Sequence, residues 1–169
     1  MVKSRLLLVL AFIAVTAGGT LSGASAGASE LDGQGLHCES TAFRRGLYTE
    51  GCAAVGAYPD YSYIFGETEA SAYKLVDGQR VPAEKVLVRI ARSSIYVNGH
   101  QADARPCSCG PAAYVRDATR NVQPGQLPSG NTAQAAVTYE VWAVRGPRPV
   151  LVDTHTVMSE VVATPDVAG

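Results

Sequence analysis

The 169-residue chain lacks any N-x-[ST] sequon, because Asn98, Asn121 and Asn131 all miss the hydroxyl residue two positions on. No N-linked glycan is therefore expected. Lysine is scarce, three against 11 arginines, and the basic residues form no stripe or polybasic run. Nucleic acid and anionic membrane are accordingly poor partners. No cofactor fingerprint and no phosphate loop is present, and no cofactor is expected. The one match to a G-x-S-x-G nucleophile elbow, residues 23–27, follows no strand pattern and opens no helix, so it is accidental. Beyond the first 17 residues no long apolar run occurs, which leaves nothing of the length a spanning helix needs. A single tryptophan, Trp142, decides nothing.

What is present begins with an export signature. Lys3 and Arg5 precede an apolar run over residues 6–17, and Ala24-Ser25-Ala26 is a small-residue cleavage site. The reading is a secretory signal over residues 1–26, then one β-rich domain over 27–163, and a frayed tail over 164–169. Removing 26 of 169 residues, two of them basic, leaves 143 residues with 12 basic groups against 15 acidic. That length is ample for one hydrophobic core. The expected location is secreted or extracytoplasmic, with no membrane attachment after cleavage.

The remaining pattern has period two. Residues 85–92 (KVLVRIAR), 136–145 (AVTYEVWAVR) and 150–158 (VLVDTHTVM) read as strands, with Val137, Tyr139, Val141 and Ala143 on one face. Asp77-Gly78 and Asn98-Gly99 lie between apolar stretches and supply the positive φ angles of two-residue type I′ hairpins. Residues 145–149 (RGPRP) suggest a third hairpin. Residues 119–132, polar and rich in Pro and Gly, read as a long exposed loop. A short helix fits near residues 42–54, though Gly46 and Gly51 limit its length. The fold class is all-β, an antiparallel sandwich or small barrel built from hairpins and stapled by two disulfides.

Cys38, Cys52, Cys107 and Cys109 form an even set in an exported chain, the signature of disulfides, with three connectivities open. In an extended chain the Cα atoms of Cys107 and Cys109 would lie roughly 6.5–7 Å apart, at or beyond bridging range. The expectation is therefore that each reaches back to Cys38 or Cys52, closing loops worth roughly 4 kcal/mol apiece. The alternative, Cys38–Cys52 with a Cys107–Cys109 bond, would make the second pair a redox site. A soft-metal reading draws on His37, Cys38, His100, Cys107, Cys109 and His155, residue types that suit zinc or copper(I). No two histidines share a ligand spacing, and thiols in an oxidising compartment go to disulfides first, so no metal is expected.

Asp153 and His155 share a strand face, an arrangement in which a carboxylate can orient an imidazole, with Ser93 or Ser94 as nucleophile. The plain reading is the solvent face of an antiparallel strand, on which Leu151 and Val157 also fall. Tyr61, Tyr63 and Phe65 alternate along one side of an extended segment. Exposed, they make a platform for a sugar or a protein; buried, they are half of a packing core. Arg105, in a proline-bracketed and cysteine-bearing segment, has the ingredients of a proteinase-inhibitor loop. The leading expectation is a non-catalytic binding module for a protein or glycan partner. Its contacts would come from Tyr61 and Tyr63 and from the loop around Gln123 and Gln126. A small hydrolase using Asp153 and His155, a thiol-redox or soft-metal protein at Cys107 and Cys109, and an inhibitor acting near Arg105 are the alternatives.

Overall fold

A computed structural model describes residues 33–44, 46–57, 64–119 and 130–163. The signal-like segment, Tyr61, Tyr63, Gln123, Gln126, most of the 119–132 loop and the 164–169 tail lie outside the described residues. Among the described residues there are ten strands and no helix: β1 Gln34–Arg44, β2 Leu47–Ala57, β3 Ile64–Val76, β4 Gln79–Pro82, β5 Val86–Val97, β6 His100–Arg105, β7 Tyr114–Ala118, β8 Thr132–Arg145, β9 Arg148–Met158 and β10 Val162–Ala163. They form two antiparallel five-stranded sheets. In sheet one the order is β1-β2-β3-β4, with β7 beside β4 on the same edge of β3; in sheet two it is β10-β8-β5-β6, with β9 paired to β8. The architecture is a sandwich, with two disulfides in it.

Local chemistry accounts for the hairpins. Asp77 and Gly78 have φ of 52° and 78°, and Asn98 and Gly99 of 50° and 76°, the left-handed pair that a type I′ turn requires. Gly146, at φ 81° and followed by Pro147, turns β8 into β9 between the paired Arg145 and Arg148. Among the described residues of 42–54 there is no helix. They form the β1–β2 hairpin, turned at Gly46 with φ 78°. Its register sets Cys38 directly opposite Cys52.

The two inner faces are unlike. Sheet two contributes large side chains, Val86, Val88, Ile90, Ile95, Val137, Tyr139, Val141 and Val157, all buried. Sheet one meets them with the small residues Gly51, Ala53, Ala70 and Ala72, together with Val55, Ile64 and Val115. Facing a large surface with a small one fills the space without voids. At Gly51 an added Cβ would lie 2.5 Å from Tyr139 Cε1, so this glycine is where the sheets approach through an aromatic ring. Burial pushes the Tyr139 phenol above its ordinary pKa. The hydroxyls of Thr49 and Thr41 oppose that shift, yet neither meets the phenol oxygen with good hydrogen-bond geometry.

The connectivity of the cysteines departs from expectation. Cys38 bonds Cys52 across the hairpin, and Cys107 bonds Cys109; neither of the latter reaches back to β1 or β2. The reason is conformational. Residues 106–111 belong to no strand, so the chain between the two sulfurs is shortened to a Cα–Cα separation of 5.2 Å, inside bridging range. In the chain-entropy relation the first bond, closing about 15 residues, stabilises by roughly 3 kcal/mol, and the second, closing about three, by roughly 1.6 kcal/mol. Both bonds suit an oxidising compartment. Among the described residues no helix is long and apolar enough to cross a membrane.

Candidate functional site

The segment between β6 and β7 hands the chain from sheet two to sheet one. Arg105 pairs with Ser93 at the end of β6. Farther along, Ala112 and Val88 exchange backbone hydrogen bonds of 2.9 and 2.7 Å, and Ala72 N–H then donates to the Ala113 carbonyl at 2.8 Å. Cys107 and Cys109 sit midway, half-buried against the core cluster, while Pro106, Ser108, Gly110 and Pro111 are exposed. The Cys109 amide donates to Cys107 Sγ at 3.2 Å. This corner holds a disulfide against the core, with both ends of its loop pinned.

A polar thread enters the sandwich beside it. Arg105 Nη2 donates to Asp117 Oδ1 at 2.6 Å, and Ser93 Oγ donates to Asp117 Oδ2 at 3.4 Å. The Ser93 hydroxyl also shares a 2.5 Å hydrogen bond with Thr68. Ser93 and Thr68 are fully buried, so the thread satisfies polar groups inside the core. Arg105, tied down by Asp117, does not project as a free inhibitor side chain.

Asp153 and His155 do share a face, with Oδ2 and Nε2 3.3 Å apart. That face is the inner one, because His155 pairs with the buried Tyr139, the ring centroids 5.4 Å apart. It stays partly open because β9 is an edge strand. A bulge between Val141 and Trp142 then reverses the alternation, so Leu151 opposes Trp142 on the outer face and leaves the face of Asp153. Ser93 lies two strands away on β5 and spends its hydroxyl on Thr68 and Asp117. No Ser-His-Asp constellation forms from these residues. Among the described residues no three His, Cys, Asp or Glu side chains gather as a metal site, and the four sulfurs are in disulfides.

The outer face of sheet one holds a network that the sequence reading did not find. Arg80, on β4, donates both guanidinium nitrogens to Glu50 on β2, and Ser40, on β1, donates to the same carboxylate. Tyr73 OH donates to Ser40 Oγ at 3.2 Å, its ring lies 4.2 Å under the Arg80 guanidinium, and Tyr48 stacks on it at 5.5 Å. Burial pushes the Glu50 pKa up. The hydrogen bonds from Arg80 and Ser40 outweigh that and hold it below its ordinary value. Such a carboxylate is kept ionised, which suits holding strands together better than proton transfer. Only the strand register brings these residues together, since 30 positions separate Arg80 from Glu50.

On the outer face of sheet two, Arg89 grips Glu140 through two 2.9 Å bonds. Trp142 is half-buried there, its indole N–H donating to Glu140 at 3.0 Å.

At one end of the sandwich the described anchors of two other segments converge. Ala57 pairs with Ile64, on either side of residues 58–63. Thr119, which precedes residues 120–129, exchanges two hydrogen bonds with Gly66, 2.8 Å from its amide and 2.6 Å to its hydroxyl. On the other sheet the Asn98 side chain bonds Asn131 and the Thr132 amide, clamping the β5–β6 turn to the start of β8. Phe65 is half-buried on the outer face of sheet one, its ring against Gly56.

No protein-family model, curated protein or solved structure matches this chain.

Proposed function

We propose that the chain is an exported binding module that contacts a protein or glycan partner through segments leaving one end of the sandwich. The observation that supports this reading is that the described flanks of residues 58–63 and 120–129 meet on sheet one: Ala57 pairs with Ile64, and Thr119 bonds Gly66, two residues after Ile64. Binding residues are commonly carried by connections that a rigid scaffold positions, and sandwiches gather their connections at the ends of the sheets. Tyr61 and Tyr63 belong to the first segment, Gln123 and Gln126 to the second. Export rests on the basic, apolar and small-residue order of the first 26 residues, with the disulfides in agreement.

The experiment compares the mature chain with a deletion of residues 124–130 and with a Tyr61→Ala/Tyr63→Ala variant. Each is probed against immobilised extracellular glycans and against surface proteins of the producing cell. Loss of capture at unchanged melting temperature supports the reading. Equal capture by all three forms contradicts it, as does a hydrolytic activity abolished by His155→Ala in a folded protein.

A further inference from the structure

We propose that Cys107–Cys109 is a thiol–disulfide exchange site for low-molecular-weight thiols, separate from the binding end and independent of it. Three observations carry the inference. The bonded residues are only two apart in a stretch that belongs to no strand, so no backbone ladder holds the sulfurs together once the bond opens. Cys107 and Cys109 are half-buried against the core, interleaved with exposed Pro106, Ser108 and Gly110. The loop ends are held by Arg105–Ser93 pairing and by the Ala112–Val88 hydrogen bonds, so opening the bond leaves the two sheets in place.

The geometry also orders the step. The Cys109 amide points at Cys107 Sγ, where it stabilises negative charge developing on that sulfur. An incoming thiolate therefore attacks Cys109 Sγ. A new S–S bond forms there, the Cys107–Cys109 bond breaks, and its electron pair leaves on Cys107 as thiolate. A second thiolate attacks the outer sulfur of the mixed disulfide and displaces Cys109. Two external thiols become one external disulfide, and two electrons and two protons end on Cys107 and Cys109. An oxidised low-molecular-weight disulfide runs the same steps backwards. Cys38–Cys52 is built differently. It spans the β1–β2 hairpin, Cys38 exposed and Cys52 1% exposed, in a backbone ladder that keeps the two residues opposed and returns an opened pair to the bond.

The test uses the native mature chain in glutathione buffers of graded reduced-to-oxidised ratio, quenched with an alkylating agent and mapped by mass spectrometry. The expected result is joint alkylation of Cys107 and Cys109 while Cys38 and Cys52 stay bonded, with the circular dichroism unchanged. A Cys107→Ser variant, exposed to oxidised glutathione, should carry one glutathione on Cys109. Simultaneous opening of both pairs, or protection of Cys107 and Cys109 until denaturant is added, would overturn the proposal. So would alkylation at Cys38 and Cys52 first, or a folded Cys107→Ser variant that takes up no glutathione.

Discussion

The two disulfides belong to differently built regions of one sandwich. Around Cys38–Cys52 everything is cross-strand: the bond, the Ser40–Glu50–Arg80 chain of hydrogen bonds and the Tyr48–Tyr73 stack tie four strands of sheet one across its outer face. Around Cys107–Cys109 everything is local: a bond two residues long, an amide-to-sulfur contact within it, and exposed Ser108 and Gly110. The contrast teaches that a disulfide's role follows from how much chain it spans and what surrounds it. The same sulfur–sulfur bond lies within a strand ladder in one place and outside any strand in the other.

The comparison can be broken from the staple side first. Arg80→Met leaves Glu50 ionised without its partner on a largely covered face, and should cost about 3–4 kcal/mol in urea unfolding at neutral pH. The pH dependence has a definite sign. The folded Glu50 pKa is below 4.5, so its contribution is complete above pH 4.5 and is lost as pH falls through the folded value. Unfolding free energies of the parent and of Arg80→Met, measured across this window, should converge as the pH drops. Replacing both Cys38 and Cys52 with serine should cost about 3 kcal/mol and lower the thermal midpoint by several degrees. Gly51→Ala should cost about 1–3 kcal/mol, because the new methyl meets the Tyr139 ring in a packed core.

From the corner side the effects are smaller. Replacing both Cys107 and Cys109 with serine should cost no more than about 1.6 kcal/mol, with far-ultraviolet circular dichroism unchanged. His155→Ala should change stability by at most about 0.5 kcal/mol, since the ring sits at an open edge against Tyr139. A cost at the corner equal to that at the staple would erase the distinction.

Much of the fold was legible because its signals are local. The period-two faces of β5 and β8, with Val137, Tyr139 and Val141 inward, follow from alternation alone. The Asp77-Gly78 and Asn98-Gly99 turns follow from backbone sterics. Cysteine pairing was not legible. It required knowing that residues 106–111 leave the strand conformation, and that residues 42–54, which a short helix also fitted, form a hairpin. The bulge that turns Leu151 away from Asp153 left no mark in the alternation either. The Glu50–Arg80 pair depends on the summed register of β2, β3 and β4, which no spacing encodes.

Non-reducing tryptic mapping reads the cysteine pairing itself. Trypsin cuts after Arg44, Arg45, Lys74, Arg92 and Arg116, and spares the Arg105-Pro106 bond, so Cys38, Cys52 and the Cys107/Cys109 pair fall on three separate peptides. The expected result is a Cys38 peptide linked to the Cys52 peptide, and a residue 93–116 peptide two hydrogens lighter than its dithiol mass. A crosslink from the 93–116 peptide to Cys38 or Cys52 would contradict it.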